Sequence, residues 1–266
     1  MNAVLSSKTK RASKWRDEIP ALDSFLAPLI VLAAVFLSWE YSSRWFGIPK
    51  YILPPPSDFL GRFATDSYLL ASNALATGYV VLMGFVLAAA IAVPLGLAIA
   101  SYASLRHGLL PVIVFFEIIP KTITAPLLIV WLGFGLSPRI ALTTVMSVFP
   151  ILVNSIAGFS GGNPRLFLLT KSMGASPWQT FRFVRLPAAM PYIFSGLKIG
   201  MVYAVTGCVT AEFVAANEGL ASLIITAFGY ADLDLGFAAI IATAGLGLAF
   251  TGVLLGMERL FMPWKE

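Results

Sequence analysis

The sequence predicts an all-α chain that crosses a membrane six times. Two observations carry that expectation. Charged residues make up 12% of the 266 positions and hydrophobic ones 58%, whereas soluble domains carry about 25% charged residues. The charges are also unevenly spread: no Asp, Glu, Lys or Arg occurs from Ser67 to Leu105, from Ile140 to Pro164 or from Leu235 to Met257, runs of 39, 25 and 23 residues. A helix rising 1.5 Å per residue needs about 20 apolar residues to cross a ~30 Å hydrocarbon core. A soluble globular chain lacks the polar surface it would need, and a disordered chain is excluded by the apolar content.

The elements follow in order. A basic lead with Lys8, Lys10, Arg11, Lys14 and Arg16 precedes a first span from Phe25 to about Trp45. Ser38-Trp39-Glu40-Tyr41 offers no small-residue cleavage site, so this span is read as retained rather than removed as a signal peptide. Tyr51 to Asp58 is a stiff Pro-rich connector that cannot continue a helix. Span two is expected from Thr77 to Ser101. Span three is expected from Leu109 to Leu132, broken at Pro120 and Pro126. Gly133, Gly135 and Pro138 turn the chain into span four, which ends near Gly158. Span five covers Met190 to Phe213 and span six Leu235 to Met257. The apolar piece Leu220–Phe228 between them is too short to cross and reads as a re-entrant or interfacial segment.

Basic residues set the orientation. With the N-terminus inside, 12 Lys and Arg lie on the cytoplasmic side, 4 lie outside, and Lys121 and Lys198 fall within spans. That bias places both termini in the cytoplasm of a multi-pass inner-membrane protein, and it accounts for the +5 charge without nucleic acid. The single Cys208 and single His107 leave no disulfide and no zinc set, and no cofactor is expected. Trp39, Trp45, Trp131 and Trp264 near span ends read as interfacial anchors contacting lipid.

The 31-residue loop from Phe159 to Ala189 is long for a compact membrane protein. Asn163-Pro164 starts a short helix and Gly174 ends it. Ser176-Pro177 starts a second helix, carrying Phe181, Val184 and Arg185 at helical spacing, and Leu186-Pro187 stops it. Two short helices with an apolar and a basic face form a docking surface.

The pattern Gly174, nine residues, Val184, one residue, Leu186-Pro187 resembles the EAA loop of binding-protein-dependent ABC importer permeases. Met173-Gly-Ala-Ser-Pro-Trp-Gln179 and Arg185-Leu-Pro-Ala-Ala-Met-Pro-Tyr-Ile193 agree. So do Leu53-Pro-Pro-Pro-Ser-Asp58, Ile119-Pro-Lys121, Ala125-Pro-Leu-Leu-Ile-Val-Trp-Leu-Gly-Phe-Gly135, Glu212-Phe-Val-Ala215, Gly219-Leu220 and Met262-Pro-Trp264. The ordered series, from about residue 40 to 264, is similar to the branch serving nitrate, taurine, alkanesulfonates, bicarbonate and thiamine precursors. In one respect the chain departs from the motif. The Glu-Ala-Ala positions hold Leu168, Leu169 and Thr170, so docking would rest on shape, Gly174 and basic residues.

The resemblance implies a type I importer permease fold, with a tail at 1–24, a first span and periplasmic connector at 25–76, and a permease core at 77–257. Within that core, 159–189 is the coupling loop, and 258–266 is a second cytoplasmic tail. The implied partners are a cytoplasmic ABC ATPase dimer, a periplasmic or lipid-anchored solute-binding protein, and a second permease copy in a homodimer. The chain contains no Gly-x-x-x-x-Gly-Lys-Ser/Thr, so it is read as a non-enzyme whose energy comes from the ATPase. The coupling residues implied are Lys171, Met173, Gly174, Ala175, Ser176, Trp178, Val184, Leu186 and Pro187. The cargo is expected to be a small anion such as nitrate, a sulfonate or bicarbonate, or a heterocycle resembling a thiamine precursor.

Glu117, Lys121, Thr124, Thr206, Thr210 and Glu212 are candidates for the pathway, since ionisable groups inside a membrane mark function. Glu117 and Lys121, four apart, either pair with each other or line the passage. Glu212 either serves an outer gate or binding-protein contact, or snorkels to the interface. Lys198 reads as a cytoplasmic-side anchor, and Gly196-x-x-x-Gly200 and Gly252-x-x-x-Gly256 as possible close helix contacts. Gly158-Phe-Ser-Gly161 mimics a rhomboid-protease motif, but no His follows Ser160 to activate it. A secondary carrier for a small anion is the remaining alternative, although neither an internal repeat nor an acidic relay is visible.

Overall fold

The computed structural model describes residues 21–120, 123–161, 164–215 and 217–263. Lys121, Asn163, Trp264 and the five basic residues of the N-terminal lead fall outside them. The chain divides into two compact units, Met1–Gly61 and Arg62–Glu266.

The first unit holds α1 (Ala21–Trp45) and the start of α2 (Pro56–Thr65). Its connector is tied down locally. Ser43 Oγ donates to the Leu53 carbonyl at 2.9 Å, and Glu40 accepts from the Ser57 amide at 3.0 Å and from the Ser57 hydroxyl at 2.9 Å. The indole of Trp39 lies 5.5 Å from the Phe59 ring.

The second unit is built around α6 (Leu136–Ser160), which packs chiefly against α3 (Ser67–Ser101) and α9 (Leu186–Ala215). Small residues make the approach possible. A Cβ added at Gly96 would fall 2.6 Å from Ser155, one at Gly196 2.7 Å from Asn154, and one at Gly200 2.6 Å from Ile151. Hydroxyls then bridge the closely spaced backbones: Ser147 donates to the Gly200 carbonyl at 2.9 Å and Thr144 to that of Gly84 at 3.2 Å. The Gly196/Gly200 spacing therefore is a helix contact, whereas Cβ atoms at Gly252 and Gly256 would meet nothing within 4 Å in this chain. Gly200→Leu is expected to force α6 and α9 apart and cost about 1–3 kcal/mol, read as a lower thermal midpoint in detergent.

Among the described residues, five helices are long and apolar enough to cross a membrane: Leu26–Trp45, Ser67–Ser101, Leu136–Ser160, Pro177–Val214 and Leu233–Phe261. The expected third span is instead two shorter helices, α4 (Ala103–Ile118) and α5 (Thr124–Leu132). Ile119 takes the extended conformation (ψ 125°) that a following proline favours, so Pro120 ends α4. Pro126 breaks nothing, because it lies in the first turn of α5, where its missing N–H has no partner to lose. α3 begins ten residues before the expected Thr77, and its 35 residues exceed what a bilayer crossing needs.

Leu186-Pro187 also behaves differently from expectation. The helix that starts at Pro177 does not stop there; it runs on to Val214. A π-helical turn, Phe181–Arg185, precedes the proline, and the Leu186 amide donates to the Phe181 carbonyl five residues back. The wider turn makes room for the pyrrolidine ring that a regular helix would clash with. The chain then continues through α10 (Leu220–Gly229) and α11 (Leu233–Phe261), which pack on each other.

Candidate functional site

Two regions of the second unit gather the candidate residues. The first is the 159–189 segment. Its opening helix, α7 (Pro164–Ser172), closes on Gly174 at φ 73°: the Gly174 amide donates to the Lys171 carbonyl at 3.1 Å and the Ala175 amide to that of Thr170 at 3.0 Å. This paired closure needs the left-handed backbone that glycine adopts freely. Ser176 then caps α8 (Pro177–Thr180) in a reciprocal box with Gln179: the hydroxyl accepts from the Gln179 amide at 3.2 Å, and the Gln179 side chain accepts from the Ser176 amide at 2.7 Å.

The segment presents apolar surface to its surroundings. Met173 is 77% exposed, Phe183 70% and Trp178 64%, with Leu166, Leu168 and Leu169 also exposed. Leu168 thus puts an apolar group where the motif has its acid. Lys171, Gly174 and Ser176 are exposed as well, while Ala175, Val184, Leu186 and Pro187 are half-buried.

The segment is also fastened to the spans. Arg185 donates through Nε to the Phe159 carbonyl at 3.1 Å and through a terminal nitrogen to Ser101 Oγ at 3.0 Å, joining the π turn to the ends of α6 and α3. The rings of Trp178 and Phe181 stack at 5.6 Å, and those of Phe181 and Phe159 at 6.4 Å. A displacement of the exposed helices therefore reaches two spans through fixed contacts.

The second region lies at the other end of the same spans. Three side chains meet the N-terminus of α10. Asn73 accepts from the Gly219 amide at 2.8 Å, Thr77 from the Leu220 amide at 2.8 Å, and Glu212 from the Ala221 amide at 3.0 Å. Thr77 in turn donates to Glu212 at 2.8 Å, and the Cys208 thiol lies 3.4 Å from the same oxygen. Glu212 is 1% exposed. Its carboxylate is spent on capping a helix, where the exposed N–H groups and helix dipole favour negative charge, so it does not snorkel to an interface.

Beside it Arg139, 4% exposed, donates to the Gly135 carbonyl at 3.2 Å, to the Glu218 carbonyl at 3.3 Å and to the Glu218 carboxylate at 2.9 Å. The Glu212 and Arg139 positions border a cleft of about 770 Å³ that Phe134, Phe213, Asn217 and Thr226 also line. Of these, sequence reasoning singled out only Glu212. Arg139 was visible as a charge in the first turn of a span, but its partner Glu218 lies 79 residues away.

The other pathway candidates are dispersed. Glu117 is exposed near the end of α4 and Thr124 is half-buried at the start of α5. Thr206 borders a separate apolar groove with Thr243 and Leu248. Both Thr206 and Thr210 give their hydroxyls to carbonyls of their own helix, at 3.0 and 2.8 Å. Lys198 pairs with Glu258 of α11 at 2.7 Å.

A family model described as "Binding-protein-dependent transport system inner membrane component" matches residues 92–264. The chain belongs to that family. This permease is 37% identical over 95% of its length, and 94% of the relative's, to the riboflavin transport system permease protein RibX of Chloroflexus aurantiacus. It is 27% identical to the formylaminopyrimidine transport permease protein ThiX of Halalkalibacterium halodurans, covering 91% of this chain and 96% of the relative. Its fold is shared with a solved chain of the MetNI methionine ABC transporter in inward-facing conformations. There the TM-score is 0.58 at 20% identity, covering 71% of this permease and 96% of that chain. The permease is thus an ABC importer subunit with the type I fold and a multi-pass membrane protein, which displaces the secondary-carrier alternative.

Proposed function

We propose that this permease forms half of the passage of an ATP-driven importer for a flat, nitrogen-rich heterocycle, riboflavin or a pyrimidine-like vitamin precursor. The observation that carries the cargo class is 37% identity to a riboflavin permease over nearly the whole chain. The outer cleft supports it: Phe134 and Phe213 offer ring surface, while Asn217, Ser222 and Thr226 offer neutral polar groups. A small oxyanion suits the cleft less well, because the buried Arg139 is already neutralised by Glu218. A homodimer completes the passage, both termini face the cytoplasm, a separate ATPase dimer grips the 159–189 segment, and a solute-binding protein delivers cargo from outside. Exposed Met173, Trp178 and Phe183 support the docking assignment, as apolar side chains on a polar loop need a partner to cover them.

In this reading the ATPase closes on ATP and moves α7 and α8, and the Arg185 links and the Phe181–Phe159 stack carry that motion to α6 and α3. Reconstitution with a cognate ATPase and solute-binding protein tests the cargo. ATP-dependent uptake of riboflavin or formylaminopyrimidine, with none of nitrate or taurine, is the expected result. Uptake of an inorganic or sulfonate anion alone would replace this reading with the anion one.

A further inference from the structure

The inward end of the second unit contains a cleft whose wall is shared with the coupling segment, including Lys171 and Arg185. It has a volume of about 680 Å³ and lies between α7, the π turn and the ends of α3 and α6. Arg106 of α4, Lys171 of α7 and Arg185 of the π turn bring cationic side chains to its wall, with the hydroxyl-bearing Ser160, Thr170 and Thr180 beside them. No carboxylate balances them there. The sequence holds no Asp or Glu between Asp66 and Glu117, nor between Glu117 and Glu212, and none lines the cleft among the described residues. Like charges brought from three separate helical elements to one cleft favour an anion there.

We infer that this cleft binds a phosphate-bearing anion, held by Arg106, Lys171 and Arg185. Guanidinium groups and an ammonium match phosphate oxygens through charge-assisted hydrogen bonds, and the hydroxyls complete the set. Ala100 and Ser160, the last residues but one and the last of two spanning helices, border the cleft, which sets it at headgroup depth. An anionic phospholipid headgroup and a soluble phosphate share this chemistry. A bound phosphate bridges α7 to the π turn and to α4, so it stiffens the segment that the ATPase would move. The inference rests on the inward orientation proposed above.

The test uses the full-length permease copurified with its ATPase in detergent. Phosphatidylglycerol or phosphatidylcholine is added and retained lipid is counted by native mass spectrometry; inorganic phosphate is titrated separately by calorimetry. Retention of phosphatidylglycerol but not phosphatidylcholine, weakened about tenfold by Arg106→Gln with Lys171→Gln, supports the site with a lipid source. Phosphate binding without lipid retention, lost in the same variant, supports it with a soluble source. Binding of neither, or binding that the double substitution leaves unchanged, overturns the inference. Should the double variant fail to assemble, Arg106→Gln alone and a salt titration of the unaltered complex decide: retention insensitive to both overturns it. Orientation is checked apart from this. Cys208 is buried, so a membrane-impermeant thiol reagent reports Ser172→Cys, and labelling from the outer side would refute the inward placement whatever the cleft binds.

Discussion

Replacing Glu212 with alanine is expected to abolish uptake and to lower the thermal midpoint of the permease. The substitution leaves the Ala221 amide and the Thr77 hydroxyl without the carboxylate that now accepts from both, in a nearly fully buried site. Hydrogen bonds to a charged group contribute about 1.5–3 kcal/mol each, so the loss unseats α10 from α3 and α9. Glu212→Gln keeps one oxygen and should fall between wild type and alanine. Gly219→Ala should resemble Glu212→Ala for a steric reason: Gly219 sits at φ 110°, and a Cβ there would run into the Glu212 carboxylate. A double-mutant cycle with Thr77→Val measures the network directly, with a coupling of about 1–2 kcal/mol expected. Additive losses in that cycle, or full uptake by Glu212→Ala, would show that the cap does not hold the outer end together.

The second large effect is expected at the opposite end. Gly174→Asp combined with Leu186→Asp should cut ATP-driven uptake at least about tenfold, while the chain still inserts in the membrane. Each half acts differently. At Gly174 there is open space around a Cβ, so the penalty is conformational, about 1–2 kcal/mol for leaving the left-handed region, plus a charge on the docking surface. Leu186 instead packs beside Phe159, Ala189 and Ile193, so a carboxylate there is driven into an apolar cluster at the base of the lever. Copurification of the ATPase and uptake in proteoliposomes are the measurements. A nucleotide-driven conformational change that persists in the double variant would sink the lever mechanism. Gly174→Ala separates backbone from charge, and should lose much less.

What could be read from the sequence and what could not divides along physical lines. Three of the spanning helices were legible because absence of charge over more than 20 residues has few other causes. Gly174 and the Ser176-Pro177 helix start were legible because caps are encoded within a few residues, although the Gln179 half of the box was not read. Leu186-Pro187 misled because a proline normally ends a helix; the π turn that accommodates it has no local sequence code. Gly196/Gly200 and Gly252/Gly256 share one spacing, yet only the first pair meets a neighbour in this chain, because spacing names a face and not what covers it. The Glu212 cap lay out of reach for a similar reason. Thr77 is 135 residues away, and no periodicity links them.

The π turn also sets a phase. Its hydrogen bond reaches from Leu186 back five residues to Phe181, where a regular helix reaches back four, so the turn takes up one extra residue without swinging Trp178 around the axis of α9. Deleting one residue from the turn would restore a regular helix with Trp178 facing nearly as before, and would return the pyrrolidine ring of Pro187 to a clash with the carbonyl four residues back. Deleting one residue from the regular part of α9 would instead rotate Trp178 by about 100° relative to the span beyond. The exposed face is thus fixed by a count of residues as well as by their identity, with one place along the helix where the count can change.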